Sequence, residues 1–114
     1  MNRNQKILDQ HNIYIDLFGY YELLFTEKQI EYFKEYYYYD LSLSEIAENH
    51  QISRAAVHDV IRKMQDSLDD YEKKLGLYKK NCELLEMCDY FEEIANKENN
   101  ELAIKLIQKI KENE

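Results

Sequence analysis

Arg54, His58 and Arg62 recur at steps of four residues, with Lys63 beside the last of them. At 100° per residue a helix places these three on one arc of its surface, and Ala55, Asp59 and Gln65 fall on the same arc. Arginines near the start of a helix pair with guanine edges or phosphate oxygens, and Lys63 just off the arc reaches the backbone. Such a spacing offers recognition of a polyanion, with no bond made or broken. Ser53 stands where a cap hydroxyl accepts an orphan helix N–H, and the positive pole of the helix dipole adds to the cations. Ser53, Arg54, Ala55, His58, Asp59, Arg62 and Lys63 are therefore the candidate nucleic-acid contacts. His58 reads equally as a base or phosphate contact and as plain exposed surface.

No catalytic constellation accompanies them. His11, His50 and His58 have no metal-ligand spacing with each other or with the cysteines, and the chain has no glycine-rich phosphate loop. Asp69 and Asp70, like Glu92 and Glu93, diverge by about 100° on a helix and read as solvated charge. Cys82 and Cys88 diverge by about 240°, so they cannot pair locally and read as reduced, half-buried thiols. The expectation is a protein that is not an enzyme and uses no metal or cofactor.

The elements that must hold the arc follow from the apolar spacing. Ala56, Val57, Val60, Ile61 and Met64 occupy the opposite arc and predict a buried face. Upstream, Ser42-Leu43-Ser44-Glu45 forms a capping box opening a short helix with Leu43, Ile46, Ala47 and His50 inward. His50 reads as a packed histidine with one satisfied nitrogen. Ile52 and Val57 flank the Ser53 cap at the spacing of a hydrophobic staple, so residues 42–64 read as a helix-turn-helix. Thr26 to Gln29 is another capping box, followed by Ile30, Phe33, Tyr36 and Tyr37 at helical spacing. Tyr36 to Tyr39 suit stacking on unpaired bases or filling grooves between helices. The second use is favoured, because no basic residue is interleaved among them.

A first helix is expected from about Asn4 to Leu24, with Leu8, Ile15, Leu17, Phe18, Tyr21 and Leu24 inward. Beyond Met64, Leu68, Tyr71, Leu75, Tyr78, Cys82 and Leu85 alternate steps of three and four, a heptad seam on a long helix laid against the N-terminal helices or against a second copy of the chain. Residues 96–100 interrupt the pattern before a last amphipathic helix carrying Leu102, Ala103, Leu106, Ile107 and Ile110. With no proline and two glycines in 114 residues, the class is all-α with five or six helices. The reading is one domain, a core over 26–65 and a helical extension over 66–114.

The net charge of −8 is spread over both halves, so no basic arm anchors the chain to nucleic acid. A monomer would bind duplex DNA weakly. The expectation is two copies, or a partner other than DNA, such as a basic protein docking on the acidic, tyrosine-rich surface. No apolar run approaches the ~18 residues of a spanning helix, and no secretory signal is read at the start, so a cytoplasmic protein is expected.

A narrower resemblance rests on the stretch from Leu23 to Tyr78: the FTEKQ helix start, the tyrosine-rich end of that helix, SLSEIAE, ISRAAVHD, and the segment from Leu68 to Tyr78. Together they resemble the YlxM family of small bacterial proteins, whose helix-turn-helix is similar to region four of sigma factors. The resemblance implies a non-enzymatic, cytoplasmic protein tied to the signal recognition particle pathway, with a regulatory or nucleic-acid-binding role on DNA or on the particle's RNA, or a partner among the particle's proteins. Gln51 stands where such motifs usually place glycine, which predicts a left-handed residue under some strain.

Overall fold

The computed structural model describes residues 13–112. The expected helix start at Asn4, its contact Leu8, and His11 lie outside the described residues. Those described are all-α: α1 over 13–21, a 3-10 turn at Glu22–Leu24, α2 Glu27–Tyr37, α3 Leu43–His50, α4 Arg54–Leu75, α5 Leu77–Lys97 and α6 Glu101–Glu112. The chain divides into two compact units, Met1–Gly76 and Leu77–Glu114.

Aromatic rings fill the heart of the first unit. Phe18 of α1 stacks on Phe33 of α2 at 3.9 Å between centroids, and Phe33 stacks in turn on Tyr37 at 4.3 Å. Phe33 is fully buried, and a buried Phe→Ala change costs about 3–5 kcal/mol. Leu17, Phe18 and Tyr21 point inward as their spacing predicts. Leu24 does not: the chain tightens to a 3-10 turn after Tyr21, which rotates Leu24 off the helical face and leaves it exposed. Two phenols tie α1 to the far half of α4, Tyr14 Oη donating to Asp69 at 3.0 Å and Tyr21 Oη to Glu72 at 2.7 Å.

Both predicted capping boxes form. Thr26 Oγ1 accepts from Gln29 N at 3.2 Å while Thr26 N donates to Gln29 Oε1 at 2.9 Å. Ser42 and Glu45 exchange the same pair of bonds at 3.1 Å each. His50 is more fully bonded than its sequence position suggested. Its Nε2 meets Glu35 Oε2 at 2.6 Å, and Nδ1 lies 3.1 Å from Lys28 Nζ. An ammonium can only donate, so Nδ1 accepts and Nε2 carries the proton given to Glu35. α3 is thereby pinned to α2.

Gln51 ends α3 in the left-handed region, φ 56° and ψ 43°, and its N–H reaches the carbonyls of Ala47 and Glu48. That single residue makes the bend of the helix-turn-helix. α4 then runs with Val57, Ile61, Met64 and Leu68 buried against α2 and α3 and the rest of the core.

The heptad seam starts within the first unit, and its continuation as one helix needs correction. Leu68 is fully buried in the first unit, and the half-buried Tyr71 packs against Tyr21 and Phe25, each at 5.8 Å. Gly76, at φ 62°, closes α4 by donating to Glu72 O, so Tyr78, Cys82 and Leu85 belong to a separate helix.

The second unit is a hairpin of α5 and α6. Asn99 turns the chain at φ 53°, and Asn100 Oδ1 caps α6 by accepting from Ala103 N at 3.1 Å. Its small core is Cys88, Ala95 and Ile107, with Ala103 and Ile104 packed against it. Lys111 of α6 binds Asp89 at 2.5 Å and Glu92 at 2.8 Å on α5. Leu102, Leu106 and Ile110, expected on the inner face of α6, are exposed instead. No described helix is long and apolar enough to cross a membrane.

Candidate nucleic-acid interface

The candidate interface comprises the first three turns of α4. Ser53, extended at ψ 153°, accepts from Ala56 N through Oγ at 3.0 Å and so fixes where the helix begins. With Val57 at 0 % and Ile61 at 4 % exposure on the inner side, the outer side is set. Arg54, Ala55, His58, Arg62 and Lys63 are exposed there, and Asp59 is partly so.

These residues fall into three groups. Arg54 and Ala55 stand at the helix start, and Arg54 makes no ion pair with any described residue. Asp59, Arg62 and Lys63 form a cluster: Lys63 Nζ reaches Asp59 at 3.0 Å, and Arg62 lies 3.4 Å from Asp59 and 3.7 Å from Asp66. The hydrogen bond from Lys63, aided by Arg62, holds the Asp59 carboxyl below its ordinary range. Much of the cationic tip is thus compensated along its own helix.

The third group brings His58 and Arg62 together with residues that the linear spacing gave no reason to join. A groove of about 270 Å³ is lined by Tyr36 of α2, Leu43 of α3, and His58, Ile61, Arg62 and Gln65 of α4. The turn between α2 and α3 creates it. Asp40 adopts φ 55° and Leu41 N returns to Glu35 O at 3.0 Å, which folds α3 back across the end of α2. Gln65, on the outer arc by periodicity, leans inward so that Nε2 donates to Tyr37 Oη at 2.6 Å. Burial is the chief cause that pushes the Tyr37 phenol up. Of the tyrosine run, Tyr37 is buried and Tyr38 and Tyr39 are exposed.

Among the described residues no three His, Cys, Asp or Glu side chains gather as a metal site.

Residues 8–113 match the family described as "Putative helix-turn-helix protein, YlxM / p13 like". The chain is 44% identical over 89 residues to UPF0122 protein YlxM of Bacillus subtilis, covering 76% of this chain and 81% of that protein. It is 53% identical over 64 residues to UPF0122 protein SH1678 of Staphylococcus haemolyticus, covering 56% and 58% respectively. A relative from Thermoanaerobacter sp., UPF0122 protein Teth514_1714, is 37% identical over 98 residues, with 82% and 84% covered.

Proposed function

The chain belongs to the YlxM / p13-like helix-turn-helix family, and from that premise we propose that it is a non-enzymatic regulatory protein that binds nucleic acid through the outer face of α4. The observation that carries this reading is the division of α4. Its inner side is locked in the core by Val57, Ile61 and Met64, while Arg54, His58, Arg62 and Lys63 are held out in fixed order behind a capped N-terminus. Arg54 and Arg62 address base edges or phosphates, His58 sits between them, and Lys63 meets backbone. Ser53 sets the angle. The resemblance to the YlxM family suggests the signal recognition particle pathway in the cytoplasm as the setting, with promoter DNA or the particle's RNA as target.

Fluorescence anisotropy with duplex DNA and structured RNA at two salt concentrations tests this. Arg54→Ala and Arg62→Ala are each expected to weaken binding, in line with loss of a charged contact. Wild-type affinity in both variants, or no binding at low salt, would overturn it.

A second reading is favoured by the compensation of Arg62 and Lys63 by Asp59 and Asp66 on a chain of net charge −8. In it the acidic surface docks on a basic protein of the same pathway. Pull-down from cytoplasmic extract with nuclease treatment separates the two, since a protein contact survives the nuclease.

A further inference from the structure

The groove lined by Tyr36, Leu43, His58, Ile61, Arg62 and Gln65 has the make-up of a seat for something flat. Its volume, about 270 Å³, falls just below the roughly 300–1,000 Å³ of pockets for drug-sized ligands, which suits a single ring system rather than a cofactor. Of its lining, Ile61 is almost wholly buried, Leu43 and Tyr36 are half-buried, and His58 and Arg62 are exposed. Gln65 is fixed by its bond to Tyr37 Oη, and its Oε1 has no partner among the described residues. An amide held in one orientation beside an aromatic wall can read the hydrogen-bonding edge of a base.

We propose that this groove receives one unstacked nucleobase from a nucleic-acid loop. The inference rests on the nucleic-acid reading of α4 and narrows it to targets with unpaired nucleotides. The tyrosine run lacks interleaved basic residues in sequence, yet the fold supplies them from α4, setting Arg62 and His58 at the same groove as Tyr36. Arg62 is held only by loose, exposed pairs to Asp59 and Asp66, and such pairs are weak, so its guanidinium can swing to the phosphate that flanks a seated base. Stacking on an aromatic ring also needs no net positive charge. On a chain of net charge −8, with its cations largely compensated, a base in a pocket is a better source of affinity than a tract of duplex phosphates. Unpaired loops are where RNA is ordinarily read, because its paired major groove is too narrow for side chains.

The test uses the full chain and three RNA probes of equal phosphate count: a hairpin, the same hairpin with each loop nucleotide in turn made abasic, and a fully paired duplex. One abasic position is expected to weaken binding about tenfold, as loss of one stacked base does. Tyr36→Leu should erase that difference and leave duplex binding unchanged, while Tyr36→Phe, which keeps the ring, should preserve it. Arg54→Ala, outside the groove, should weaken all three probes. If no abasic position matters, or Tyr36→Leu weakens every probe alike, the base seat is overturned while the Arg54→Ala effect still upholds the wider nucleic-acid reading. If Arg54→Ala also changes nothing, both fall. Should Tyr36→Leu prove unfolded by circular dichroism, the abasic series decides the matter without it. The same hairpin in DNA shows whether the base comes from RNA alone, by binding worse, or from any loop, by binding equally.

Discussion

Asp59 governs how much positive charge α4 displays. It holds Lys63 at 3.0 Å and Arg62 at 3.4 Å, and its depressed carboxyl range reflects chiefly the lysine. Asp59→Asn removes the anion, freeing Lys63 and leaving Arg62 with Asp66 alone, so nucleic-acid affinity should rise roughly threefold to tenfold with a steeper salt dependence. Anisotropy titrations at two salt concentrations check this, and unchanged affinity would count against phosphate contact by Arg62 and Lys63. Tyr14 makes a second residue-level prediction. Burial first, then its bond to Asp69, pushes its phenol from 10.0 up to about 12. The folded chain therefore holds this proton more tightly than the unfolded chain does. The stabilisation is complete below pH 10.0 and is lost as pH rises from there through about 12. Tyr14→Phe should flatten the fall in the denaturation midpoint across that window, and spectrophotometric titration should show one fewer late-ionising phenol.

The helix-turn-helix depends on one cap and one left-handed residue. Ser53→Ala deletes the acceptor for Ala56 N and should cost about 1 kcal/mol in chemical denaturation, with some loss of binding because the helix start frays. Gln51→Gly removes a side chain from φ 56° and should stabilise by roughly 0.5–1 kcal/mol, with binding retained. A loss of stability there would mean that the Gln51 side chain contributes more than its backbone strain costs. Both capping boxes and the two sides of α4 were legible in the sequence because each is decided within a few residues by periodicity or a local hydrogen bond, and the bend at Gln51 was expected from where such motifs usually place glycine. The groove was not, because Tyr36 and Leu43 meet Arg62 only after α3 folds back at Asp40, and Gln65 turns inward toward a tyrosine on another helix. The seam from Leu68 onward, expected against the N-terminal helices or a second copy, was misread only in its continuity past Gly76. Apolar spacing says that residues share a face, but not that Leu68 is buried in the first unit, that Tyr71 meets Tyr21 and Phe25, or that the helix ends at Gly76. On α6 the covered residues proved to be Ala103, Ile104 and Ile107, chosen by how the Asn99–Asn100 turn sets the helix against α5.

At the scale of the whole molecule, the acidity of the chain and the division at Gly76 set its behaviour. A net charge of −8 gives no long-range steering toward polyanions, so under the proposed reading specificity comes from short-range fit around α4. The units on either side of Gly76 are unequal in what they bury. Among the described residues, the first holds Phe18, Tyr21, Phe33, Ile46, Val57, Met64 and Leu68 almost wholly out of water, and the second buries only Cys88, Ala95 and Ile107 to under a tenth exposure. Because α4 ends in the left-handed turn at Gly76, opening of the later helices need not propagate into α4. Native-state hydrogen exchange should therefore resolve two cooperative blocks. Core amides of α2 and α4 should exchange only with global unfolding, and those of α5 and α6 through a cheaper opening of their own, seen as different denaturant dependences. A single glycine would then let one end of this chain unfold and refold while the other keeps its grip.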